Sequence, residues 1–193
     1  MAAGLVLLVA SLAAWRTHRL PFGPGCSDIV VGVSHAESAT SPTNADAVLI
    51  AVIQGPGDLD FSDPYPELVI TNEGDAIALA REDSQTSPRT YKKARIAPLT
   101  TAALAGCVQS ADFHTLDDDY FPCDSGAREA IVSGPASGAP KRIWAQFHSV
   151  AEGTCASRLP ARLLSLKEAL DTIRQQTADT GTPADPPPLI LAR

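Results

Sequence analysis

Beyond an apolar N-terminal stretch, apolar residues along this chain fall into runs of seven or fewer, separated by turn-forming clusters, and two stretches repeat at helical spacing. Asp46 to Ile53 holds the continuous apolar run AVLIAVI, closed by Gly55-Pro56-Gly57. It is too short for an ordinary helix and rich in β-branched residues, so it predicts a central strand buried on both faces. Pro66-Glu-Leu-Val-Ile-Thr71 leads into Asn72-Glu73-Gly74-Asp75, and Ala76-Ile-Ala-Leu-Ala80 returns. This predicts a β-hairpin in which Gly74 supplies the positive φ of a short loop. The basic run Tyr91–Ile96 reads as a further strand, and the stretch from Glu82 to Thr90 as a polar loop.

After Pro98, Thr100 or Thr101 can cap a helix running to Ala111. Leu104, Cys107, Val108 and Ala111 recur there at i, i+3, i+4 and i+7. Arg128–Val132 and Lys141–Val150 predict two more strands, joined by the turn-rich 133–140. In the second, Ile143, Ala145 and Phe147 alternate toward one face, with Trp144, Gln146 and His148 on the other. Pro160 suits the start of a last helix carrying Leu163, Leu166, Leu170 and Ile173 on one side. The predicted architecture is α+β: an antiparallel sheet of 5–6 strands with two helices on one face, preceded by an apolar N-terminal helix. The organisation reads as an apolar segment 1–20, a linker 21–44, a domain 45–176 and a proline-rich tail 177–193.

The N-terminal run Met1–Trp15 carries no charge. As a helix it would span about 22 Å, short of the ~30 Å hydrocarbon core, and its length suits a signal peptide's apolar region. A basic region does not precede it; Arg16, His18 and Arg19 follow it instead, against the positive-inside rule. Three accounts fit: a start upstream of Met1, an uncleaved anchor, or a buried helix of a soluble domain. Gly23-Pro24-Gly25-Cys26 lacks the aliphatic residue of a lipoprotein signal. Ser34–Asn44 is small, polar and linker-like.

Four cysteines after such a segment fit an oxidising compartment, extracytoplasmic and either secreted or membrane-anchored. Cys26, Cys107, Cys123 and Cys155 contain no C-x-x-C, so a zinc ribbon is unsupported. If Arg128–Val132 and Lys141–Val150 pair about a tip near Ser137, Cys123 and Cys155 lie just beyond the open end of one hairpin. That geometry can close a disulfide between them, leaving Cys26 for Cys107 by elimination. The alternative is four small buried thiols in a reduced protein.

Net charge is −7. Between Leu20 and Ala80 nine acids stand without a single Lys or Arg, which argues against nucleic-acid binding. No G-x-S-x-G is present, and His18, His35, His114 and His148 are isolated. Asp58, Asp60 and Asp63, and Asp117, Asp118, Asp119 with Asp124, offer oxygen ligands but not EF-hand spacing, so they read first as solvated acidic loops. The run Arg89–Arg95 reads as keeping a sheet edge soluble. No catalytic, cofactor or metal residue is therefore assigned.

Pro66, Leu68, Val69, Ile70, Gly74, Ile77, Leu79, Leu99, Thr100, Leu104 and Leu166 to Leu170 carry a resemblance. Their order resembles an uncharacterised family of exported bacterial domains, many of them lipoproteins and many actinobacterial. Glu73-Gly74 stands where that family has Asp-Gly. The resemblance implies an exported α+β domain and no catalytic residues. Together these readings lead to the expectation of a non-catalytic extracytoplasmic binding or envelope-associated domain, with an unknown protein or envelope ligand and possible membrane attachment through the N-terminus. The alternatives are a small hydrolase gathering His114, Asp117, Asp119 and His148, and a secreted protease inhibitor presenting Asp117–Gly126.

Overall fold

The computed structural model describes residues 26, 29–34, 47–55, 64–81, 88–120, 128–138, 140–147 and 159–187. They form a mixed α+β fold, with one large sheet and three helices. The strands in chain order are β1 (Val33–Ser34), β2 (Val48–Gln54), β3 (Tyr65–Thr71), β4 (Asp75–Arg81), β5 (Thr90–Ile96), β6 (Asp119–Tyr120), β7 (Glu129–Ser133), β8 (Lys141–Ala145) and β9 (Thr182–Ala184). Their order across the sheet is β1-β5-β4-β3-β2-β7-β8-β6, with β9 also paired to β5. Every pairing is antiparallel except β6 with β8.

The continuous apolar run becomes β2, central between β3 and β7 and buried along all but its last residue. The hairpin forms as β3–β4. Its Gly74 adopts φ +87°, and a Cβ there would lie 2.8 Å from Thr101 Oγ1. That glycine therefore serves both the turn and the close approach of a helix. The β7–β8 hairpin pairs Ser133 with Lys141 and Glu129 with Ala145, so its register is centred on Ser137 as the sequence predicts.

The helices are α1 (Pro98–Gln109), the single-turn α2 (Ala111–His114) and α3 (Ala161–Thr180). They pack on one face of the sheet. Leu104, Cys107, Val108 and Phe113 from the first two, and Leu163, Leu166, Leu170 and Ile173 from α3, share a core with Ile50, Val52, Leu68, Ile70, Ile131 and Ile143. On the other face Ala51, Ile53, Val69, Ala130 and Val132 are buried together, and Trp144 packs against them.

Several expectations are corrected. The sheet has nine strands rather than five or six, because three short ones come from segments that read as linker, loop and tail. β1 lies in the stretch read as a linker, and β9 in the stretch read as a mobile tail. β9 carries Pro183 at the edge of the sheet, where proline is tolerated. The helix after Pro98 starts at the proline itself, with Ala97 as N-cap and no side-chain cap. Thr100 Oγ1 instead donates to Val30 O at 2.7 Å and accepts from Gly32 N at 3.1 Å, holding the N-terminal segment. Ala111 is exposed and starts α2, which Ser110 caps by accepting from Phe113 N. The basic strand β5 is not a bare edge: β1 covers Arg95–Ile96 and β9 covers Tyr91–Lys93. Lys93 is buried.

A disulfide joins Cys26 to Cys107 on α1, with Cα atoms 4.8 Å apart. The predicted N-terminal helix 1–20, residues 35–44 of the linker, Cys123 and Cys155 lie outside the described residues. Among the described residues no helix is long and apolar enough to cross a membrane.

Candidate functional site

A surface helix normally carries charge on its outward side. α1 carries none in its twelve residues, PLTTAALAGCVQ. Thr100, Leu104, Cys107 and Val108 face the core. Leu99 stands 85% exposed one residue from Thr100, whose hydroxyl holds the carbonyl of the 81% exposed Val30. These two are the exposed large apolar side chains among the described residues.

Along another side of α1 runs a cleft of about 350 Å³, at the lower end of the range for small-ligand sites. Pro98, Thr101, Ala102, Ala105 and Gln109 form one wall, Leu49, Ile96 and Ala136 add apolar surface, and Asn72, Glu73 and Arg95 stand at the hairpin end. From Pro98 to Gln109 the helix rises about 16 Å, which is the length of this wall. The local fold explains the position. Ile96 N donates to Gly74 O at 2.8 Å, so the β3–β4 turn is tied to the end of β5 exactly where the chain bends into α1.

Arg95 is held in place from behind. Asp75, its cross-strand partner, accepts from Arg95 Nη1 at 3.0 Å and from Lys93 Nζ at 3.2 Å. The Asp75 backbone N–H donates to Thr71 Oγ1 at 3.1 Å. Lys93 and Asp75 are buried, whereas the Arg95 side chain is 48% exposed. The guanidinium therefore has one edge fixed by a carboxylate and lies with Asp75 on the sheet face of Ile77 and Tyr91, whereas the neighbouring Ile96 turns to the helix side.

A second charged group lies under α3. Lys167 Nζ is 3.0 Å from Glu129 Oε2 and 2.6 Å from Asp171 Oδ1, and 5.3 Å from the centre of the Phe147 ring. Arg174 reaches Glu67 at 3.5 Å and Asp171 at 3.8 Å. Glu129 is fully buried. Each of these charges faces an opposite one, so the group reads as a latch between α3 and the sheet rather than as a reactive centre.

The sequence-derived hydrolase candidates do not meet at the cleft. His114, Asp117 and Asp119 are exposed, near the end of α2 and on β6. The His114 ring packs edge-on against Phe113, and its backbone oxygen accepts from Lys141 Nζ at 3.1 Å. Asp118 pairs with Lys141 at 3.1 Å. His148, Asp58, Asp60, Asp63 and Asp124 lie outside the described residues, as do residues 121–126 of the proposed inhibitory loop. Among the described residues, no three His, Cys, Asp or Glu side chains gather so as to hold a metal ion.

Sequence reasoning missed the Lys167 group, although its signal was present: Lys167, Asp171 and Arg174 recur at i, i+4 and i+7 on one side of a helix. The cleft had no such signal, because its walls come from β2, the β3–β4 turn, β5, α1 and the 135–137 turn between β7 and β8. Comparison with protein-family models, with curated proteins and with solved structures finds no match to this chain.

Proposed function

We propose that the protein is a non-catalytic extracytoplasmic binding domain whose ligand occupies the cleft along α1. The observation that carries this reading is the cleft of about 350 Å³ beside α1, walled by an uncharged side of the helix with Leu49, Ile96 and Ala136 adding apolar surface. The Cys26–Cys107 disulfide supports the compartment, since such bridges persist where the surroundings are oxidising. The charged side chains under α3 are engaged with one another, which favours binding over chemistry at that place.

The test is retention of small molecules from an envelope extract, read by native mass spectrometry of the full chain. Wild type is expected to carry a bound species that Ala105→Phe, which fills the cleft, does not carry. Equal retention by both proteins, or by neither, would remove the cleft from the function.

A further inference from the structure

We propose that the outer side of α1, with Leu99 and Val30 at its centre, rests on a lipid bilayer that holds the apolar segment Met1–Trp15. Leu99 and Val30 belong to different parts of the chain, yet they stand at one place. Thr100, next to Leu99, donates its hydroxyl to Val30 O at 2.7 Å. Ile29, Val31 and Val33 pack against the helix-side core, and Val30 between them turns out to 81% exposure. Around the pair Pro98 and Ala102 are exposed, and Ala103 and Gly106 are half-buried. Neither α1 nor residues 29–33 carry a charge. Leu99 and Val30 do not line the cleft, so this surface is separate from it.

The chain leading to this surface says what covers it. Met1–Trp15 carries no charge, and Arg16, His18 and Arg19 follow it. An apolar run ended by arginines suits a lipid interface, with the arginines reaching the headgroups. From Arg19 to Cys26 the chain can reach at most about 25 Å. Cys26 is bonded to Cys107 on α1, and Leu99 lies about 12 Å from Cys107 along the helix axis. The bridge therefore brings α1, before any other helix, to the place where the chain leaves the lipid.

A second copy of the chain fits this surface less well. A stable pair of proteins buries about 800 Å² on each partner, whereas here two large side chains stand among alanine, glycine and proline. Two side chains suffice for a lipid contact, because the inserted segment holds the domain at the surface and makes the contact intramolecular in effect. An uncharged surface also enters the interface without desolvating a charge. The net charge of −7 favours a zwitterionic bilayer over an anionic one.

The test uses the full oxidised chain, 15N-labelled, on phosphatidylcholine nanodiscs in which a few lipids carry gadolinium on the headgroup. The amide signals of Val30, Leu99, Ala103 and Gly106 are expected to broaden. Those of Thr90 and Asp185, at the other end of β5 and about 20 Å from the start of α1, are expected to stay sharp. Leu99→Ser combined with Val30→Ser, both at exposed positions, should lower the population of this orientation about tenfold, the weight of one apolar side chain returned to water. The variant should still float with the discs through Met1–Trp15. Equal broadening at both ends of β5 would mean a tether without a preferred face, and overturns the proposal. A chain that does not bind the discs, or a pattern that the paired variant retains, overturns it too. Sharp α1 signals on discs, together with a dimer in sedimentation that the same variant abolishes, would give the face to a second copy instead.

Discussion

α1 and α3 lie on the same face of the same sheet, yet they are held there by different means. The twenty residues of α3 bury Leu163, Leu166, Leu170 and Ile173, and add the charges of Lys167, Asp171 and Arg174 against Glu129 and Glu67. Its outer side is polar, with Glu168, Gln175 and Asp179 exposed. α1 is shorter, carries no charge, and is fixed by the Cys26 disulfide and by Thr100 gripping residues 30 and 32. The contrast is one of fixture: α3 is latched by ion pairs and finished with polar groups on its outer side. A helix fixed from one side by a covalent bond keeps an uncharged surface free, and the cleft lies there.

The sharpest way to break this comparison is to remove the fixture of α1. Cys26→Ser or Cys107→Ser opens a loop with a sequence separation of 81. In the chain-entropy model that costs about 4.5 kcal/mol. Reversible urea unfolding of the variants and of the oxidised wild type should show it. A loss below about 1 kcal/mol would mean that α1 is held mainly by its apolar contacts.

The matching change under α3 is Lys167→Ala, which leaves Glu129 buried without this cation. About 3 kcal/mol should be lost. Replacing both partners, Lys167→Met with Glu129→Leu, should return stability to within about 1 kcal/mol of wild type. Thermal unfolding of the single and double variants decides it: equal damage in both would show that shape, not charge, makes the latch.

The smallest effect is expected at Leu99. Its side chain is 85% exposed, so Leu99→Ser should change unfolding free energy by no more than about 0.5 kcal/mol. A larger loss in the same assay would make this residue part of the core, and the free surface of α1 correspondingly smaller.

Legibility in the sequence followed the range of the interactions involved. β2, the β3–β4 hairpin and the β7–β8 hairpin are set by local apolar pattern and turn residues, and their turns stand where the pattern puts them, although β8 ends at Ala145, short of the expected Val150. The alternation along β8 was readable for the same reason, with Ile143 and Ala145 in the helix-side core and Trp144 on the other face. β1, β6 and β9 were not readable. Each is two or three residues long and exists because a neighbouring strand offers an edge. Lys93 misled most: a basic residue in a basic run suggests solvent, but Asp75 across the hairpin gives it a partner that lets it stay buried. The cleft depends on five segments meeting, and no local pattern encodes that meeting.

The Cys26–Cys107 bridge also sets how the molecule would respond to tension. A pull between the two chain ends enters at Cys26, crosses the sulfurs and continues from Cys107, so everything between those positions lies off the line of force. Strands β1 to β5 all belong to that bypassed stretch. Even if β6 to β9 were drawn out completely, the sheet's first five strands could not be extended, and the stretched contour would stop about 280 Å short of the reduced chain's. Stretched in single-molecule experiments, the oxidised and reduced proteins would differ by that length, with the Arg95 end of the cleft inside the protected portion.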